Sequence, residues 1–151
     1  MKKPVILTSE GYQKIQQELV TLKARRKDVA QRIGNAREFG DLAENSEYED
    51  AKNEQSFLEG RILELEEMIR NAKVVTKNGT DKVEVGSIAT LKIDGETIEY
   101  TIVGVAESDP KLGKISVDSP LGNSLIGKTK NEKVEIMTPQ GKMTCEIIEI
   151  K

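Results

Sequence analysis

The chain has 151 residues, of which 36% are hydrophobic, 32% charged and only 3% aromatic, and its formal net charge is −3. That length allows one ordinary domain or two small ones, and the mixture suits long solvent-rich helices, which need only a narrow apolar seam, better than one compact globule. A free-standing duplex-DNA binder carries a basic surplus that this chain lacks, so contact with nucleic acid is expected to be local or shared with a partner protein.

Thr8 or Ser9 can cap a first helix, with Glu10 in its opening turn opposing the positive end of the helix dipole. Tyr12, Ile15, Leu19, Leu22, Arg26, Val29, Ile33 and Ala36 then recur at alternating steps of three and four, a heptad seam with Arg26 as its polar member. A second seam runs through Tyr48, Ala51, Gln55, Leu58, Ile62, Leu65, Ile69 and Ala72, with Gln55 as its polar member. The seams are mirror images: the numbers of Tyr12 and Ala72, of Leu19 and Leu65, of Leu22 and Ile62, and of Ala36 and Tyr48 all add to 84. An antiparallel hairpin of helices folding about position 42 brings each pair to one height. Its turn falls within 39–45, where Gly40 and Asn45 tolerate the backbone angles of a reversal. Ser46 can cap the return helix, with Glu49 completing a capping box. At 1.5 Å per residue, 9–41 would form a rod of roughly 50 Å.

The period changes after Ala72. Residues 76–80 read as a linker, and beyond them 87–93, 96–105, 114–117, 134–137 and 143–150 are rich in Ile, Val and Thr with period-two stretches. Asp94-Gly95 is a two-residue hairpin signal, Pro139-Gln140-Gly141 a longer turn, and 119–127 has room for a short helix. The class is α+β: an antiparallel α-helical coiled-coil hairpin over 1–75, with an acidic tip near 38–50, followed by a small antiparallel sheet domain with a short helix over 76–151.

Charge is unevenly spread. Residues 1–38 hold nine basic and four acidic side chains, 39–70 three and ten, and 71–151 eleven and twelve. The first two stretches attract each other, and flanking charges of paired helices account for most of this. The run Arg25-Arg26-Lys27 with Arg32 reads more readily as a solvated helix face than as a basic stripe. Glu38, Asp41, Glu44, Glu47, Glu49 and Asp50 crowd together with no base between Arg37 and Lys52. Glu47, Glu49 and Asp50 suit the first turn of the return helix. Asp41 and Glu44 sit at the reversal itself, where like charges repel, and the plain alternative is a solvated acidic loop. A hard cation such as Mg2+, held by one or two carboxylates with waters or phosphates, is the natural ligand for such a pair, bound weakly by the isolated hairpin.

There is no His, which removes the commonest general base, the commonest metal ligand and every Ser–His or Cys–His arrangement. Cys145 has no mate and lies on the apolar side of an alternating run, so it reads as a small buried hydrophobe rather than a reactive thiol. No apolar run is long enough to span a membrane, and 1–7 is too short for a signal peptide, so a cytoplasmic protein without membrane contact is expected.

The segment Ala36-Arg37-Glu38-Phe39-Gly40-Asp41-Leu42-Ala43-Glu44-Asn45-Ser46-Glu47-Tyr48 closely resembles the tip signature of the GreA/GreB family, and the lack of a stronger basic concentration favours its GreA-type members. Phe57-Leu58-Glu59-Gly60-Arg61-Ile62 fits that family's second helix, and Ser119-Pro120-Leu121-Gly122 with Leu125-Ile126-Gly127-Lys128 its C-terminal domain. The likeness spans essentially the whole chain in order. It implies an FKBP-like second domain that docks at the secondary channel of bacterial RNA polymerase while the coiled coil passes down it. It also implies stimulated hydrolysis of backtracked RNA in the polymerase's own site, so the chain would be an accessory factor and not an enzyme.

By the same resemblance Asp41 and Glu44 are the catalytic acids that share Mg2+ with the polymerase, with no cofactor held tightly in isolation. Arg37, Asn45, Tyr48 and Lys52 face the nascent RNA 3′ end or the polymerase, and Asp118, Ser119 and Pro120 form the docking loop. Arg37 and Lys52 could equally flank the hairpin and balance acids, and Tyr48 could be a seam residue closing the tip. A monomer is expected. Two other readings stand beside this one. A coiled-coil spacer fits the seams as well, and a Gre-like inhibitor that occupies the channel without cleaving fits the signature. A prolyl isomerase fits poorly, since Tyr100 is the only aromatic in 76–151.

Overall fold

The heptad seams become two long helices in a computed structural model that describes residues 4–38 and 46–151. Helix α1 is Ser9–Arg37 and α2 is Ser46–Arg70. Every residue of both seams is buried or half-buried. Val29, Ile33, Ala51 and Leu58 form one core cluster, with Leu22 and Tyr48 packed against it. The helices run antiparallel in the register the mirror arithmetic requires. Among the described residues, each of the six interhelical ion pairs joins residues whose numbers add to within five of 84. Polar seam member Arg26 reaches Glu59 at 3.5 Å, and Gln55 accepts a bond from Lys52 at 3.3 Å, so neither is buried unpaired. Helix α2 stops two residues before the expected Ala72. Both the backbone N–H and the side-chain amide of Asn71 donate to the Glu67 carbonyl at 3.0 Å, closing the last turn.

Contacts divide the chain into two compact units, Gln13–Asn71 and the combination of Met1–Tyr12 with Ala72–Lys151. This division departs from the expected boundary after residue 75 at both ends. Strands β1 (Val5–Thr8) and β2 (Ala72–Val75) pair in parallel, Val5 opposite Ala72 and Thr8 opposite Val75, inside the second unit. Leu7 is completely buried there. Residues 4–12 and 72–75, assigned by sequence to the hairpin, thus share a contact unit with the five-stranded sheet, while β1 and β2 form a two-stranded sheet of their own.

The remaining strands are β3 (Ile88–Ile93), β4 (Glu96–Val103), β5 (Lys114–Ser116), β6 (Lys133–Thr138) and β7 (Gly141–Ile150), in the order β5-β4-β3-β7-β6. Asp94 and Gly95 join β3 to β4 with φ of 51° and 83°, the left-handed pair that a tight hairpin of matching twist needs. Between Thr90 and Leu91 the register against β7 shifts by one residue, leaving Ile148 of β7 as the extra, bulged residue. All these neighbours pair antiparallel except β5, which joins β4 in parallel. The alternating inward residues, among them Leu91, Ile102, Val134, Ile136 and Ile147, form one core, with Cys145 buried inside it as expected. A short helix α3 (Pro120–Leu125) covers it, with Pro120 in its first turn and Leu125 fully buried. The α+β class, hairpin before sheet, is the one read from the sequence.

Candidate functional site

Helix α1 ends at Arg37 and α2 begins at Ser46. Asp41, Glu44 and Asn45, the central candidates, lie outside the described residues. Their flanks are described. Arg37 is exposed in the last turn of α1, where a cation opposes the negative end of the helix dipole. Lys52 is exposed, its ammonium donating to Gln55. Tyr48 instead turns inward and packs on the hairpin core, so it closes the end of the seam. Glu47 and Glu49 occupy the first turn of α2, where carboxylates are favoured. Among the described residues no group of three or more acidic or cysteine side chains is arranged to hold a metal ion.

Behind the tip the basic run is neither a free stripe nor a merely solvated face. Arg25 places two nitrogens on one Glu54 oxygen at 2.6 Å, and Arg32 donates to the other oxygen at 2.6 Å. Hydrogen bonds from Arg25 and then Arg32 hold the Glu54 carboxyl below the usual carboxylate range, and the same contact raises Arg32. Arg32 also approaches Glu47 at 3.6 Å. Further down, Arg61 grips Glu18 through two bonds at 3.0 and 3.2 Å. Flanking charges that pair the helices are expected from the sequence, but without named partners, although the spacing holds the signal: Glu18, Arg25 and Arg32 are spaced by seven, and so are Glu47, Glu54 and Arg61.

In the sheet unit, the expected docking loop precedes α3. Ser119 caps this helix: its hydroxyl donates to the Ser116 carbonyl at 2.6 Å and accepts from the Gly122 N–H at 3.0 Å. Its side chain is thus committed to the fold, while Asp118 and Pro120 are exposed. Gly122 is required by the same packing, since a Cβ there would stand 2.0 Å from the Ser116 carbonyl oxygen. A 330 Å³ cleft of this unit, lined in part by Thr8, Glu10, Lys77, Thr101, Glu107 and Lys114, contains no aromatic side chain. That composition is unlike the apolar pocket a prolyl isomerase needs. No helix among the described residues is long and apolar enough to cross a membrane.

Residues 5–74 match the N-terminal domain, and 77–151 the C-terminal domain, of the GreA/GreB transcription elongation factors. The chain is 54% identical over 150 residues to the transcription elongation factor GreA of Bacillus cereus strain AH187, covering 96% of this chain and 95% of that one. It is 49% identical over 156 residues to the GreA of Caldanaerobacter subterraneus subsp. tengcongensis, covering 100% and 99%. Among solved structures, the transcription factor Gfh1 is similar at 27% identity and a TM-score of 0.50, with 99% of each chain covered. With both domains matched in order along nearly its whole length, the chain belongs to the GreA/GreB family of transcription elongation factors.

Proposed function

We propose that the chain is a transcript cleavage factor: it binds bacterial RNA polymerase in the secondary channel and stimulates the polymerase's own hydrolysis of backtracked nascent RNA. The observation that carries this reading is the placement of the signature Gly40-Asp41-Leu42-Ala43-Glu44-Asn45-Ser46-Glu47-Tyr48 at the junction of helices of 29 and 25 residues. A 29-residue helix extends about 44 Å, enough to carry a short acidic segment into a deep channel. The exposed Asp118 and Pro120 are the docking contacts in this reading, with Ser119 shaping the loop. Arg37 and Lys52 flank the tip as cations toward RNA phosphates or the polymerase.

Asp41 and Glu44 offer hard carboxylate oxygens, the donor type that suits Mg2+, and two such groups alone make an incomplete cage. They complete a site only beside the polymerase's acids and the RNA. A second Mg2+ in such a site supplies an activated water and charge stabilisation for the leaving oxygen. The chain itself then holds and orients; the hydrolysis belongs to the polymerase. This reading places a monomer in the cytoplasm, beside its polymerase.

The test uses a stalled, backtracked elongation complex carrying 3′-labelled RNA. The unaltered protein should release short labelled fragments, and Asp41→Asn/Glu44→Gln should abolish release while leaving polymerase binding and helix content unchanged. Binding without release would assign a channel-occupying inhibitor instead, and absence of binding would leave a coiled-coil spacer.

A further inference from the structure

One flank of the hairpin is a charge ladder at heptad spacing. Its rungs are Glu18–Arg61, Arg25–Glu54 and Arg32–Glu47, and Arg32 also crosses to Glu54. On the other flank Lys23–Glu66 and Arg26–Glu59 pair at 3.3 and 3.5 Å, and no further rung toward the reversal is seen among the described residues. Among the described residues, the first flank is tied up to the opening turn of α2. The tie is Arg32: one guanidinium nitrogen bonds Glu54 at 2.6 Å and another faces Glu47 at 3.6 Å. Glu47 is the second residue of α2 and lies three positions after Glu44.

We propose that Arg32 is a positioning residue: by bridging Glu54 and Glu47 it holds the first turn of α2 against α1 and so sets the anchor points of the segment that carries Asp41 and Glu44. The inference rests on the cleavage reading above. Exposed ion pairs contribute little to global stability. Helix ends fray, however, and a small misplacement of a catalytic group costs rate out of proportion to the energy of the contact that places it. The planar guanidinium can serve two carboxylates at once, which a lysine ammonium does less well. Arg25 is the internal control, because it bonds the same Glu54 without reaching Glu47.

The experiment measures RNA cleavage in a backtracked elongation complex across Mg2+ concentrations, with polymerase affinity in parallel, for the full-length protein and for Arg32→Gln, Arg32→Lys, Glu47→Gln and Arg25→Gln. Arg32→Gln and Glu47→Gln should each raise the half-maximal Mg2+ concentration about threefold and slow cleavage at limiting Mg2+ by a similar factor. Combining them should add nothing. Arg32→Lys should fall between, Arg25→Gln should match the unaltered protein, and polymerase affinity should not change. An unchanged Mg2+ midpoint in Arg32→Gln, or an equal defect in Arg25→Gln, overturns the positioning role while the cleavage reading stands. Absence of cleavage by the unaltered protein overturns both.

Discussion

Thr8 shows how one side chain can join distant parts of a chain. Its N–H donates to Glu107 at 2.9 Å and its hydroxyl at 2.5 Å, while that hydroxyl accepts from the Gly11 N–H at 3.0 Å. The cap expected at Thr8 or Ser9 is thus Thr8, but its carboxylate partner stands 99 residues away, and no local pattern announces it. Gly104 is equally silent in sequence: a Cβ there would meet the Ile6 carbonyl oxygen at 1.8 Å. Cys145 was legible, because a small sulfur side chain on the inward side of an alternating strand has one natural place. Burial pushes its thiol above the ordinary 9.0. The native protein should therefore resist thiol alkylation at neutral pH and react fully in denaturant. The native state keeps this proton to higher pH than the unfolded chain does. Its contribution to stability is thus complete below pH 9.0 and is lost as pH rises through the elevated native value. Urea titrations of the native protein and Cys145→Ala from pH 7 to 10 should show a smaller alkaline loss in the variant.

At the scale of elements, legibility followed periodicity. The helices were readable because a heptad seam repeats over many turns, and β3, β4, β6 and β7 because period two persists over six to ten residues. The three residues of β5 are too few to reveal that it pairs in parallel, and the four-residue β1 and β2 are too short and too far apart to predict each other. The heptad phase also separates residues that composition cannot. Leu65 is fully buried, whereas Leu63 is 65% exposed two positions earlier. Leu65→Ala should destabilise the hairpin by about 2–4 kcal/mol. Leu63→Ala should change stability by less than about 0.5 kcal/mol. Denaturant unfolding followed by helical circular dichroism checks both, and a comparable loss in the two would contradict the seam. The charge ladder belongs to this scale as well. Its residues repeat as regularly as the seam, but a search for apolar period alone passes over them.

Across the whole molecule, the tip signature and the order of the two parts were readable, while the side-chain arrangement of Asp41, Glu44 and Asn45 falls outside the described residues. What sequence order concealed is that the chain begins and ends in one unit. Strand β1 pairs with β2 across 67 positions, and the whole hairpin is inserted between them. Each unit has its own hydrophobic core, one around Val29 and Leu58 and the other around Leu91 and Ile147. Two cores permit two cooperative units with separate opening free energies. Leu7, wholly buried near the amino terminus, tests this arrangement. Leu7→Ala should cost about 2–4 kcal/mol. That cost should fall on the unit formed by Met1–Tyr12 and Ala72–Lys151, not on the unit Gln13–Asn71. In native-state hydrogen exchange, amides of β2, β3 and β4 should lose protection, whereas those around Val29 and Leu58 should keep theirs. Equal loss in both sets would mean that the hairpin and the sheet unfold together. Loss confined to the hairpin would place the amino-terminal strand with the helices after all.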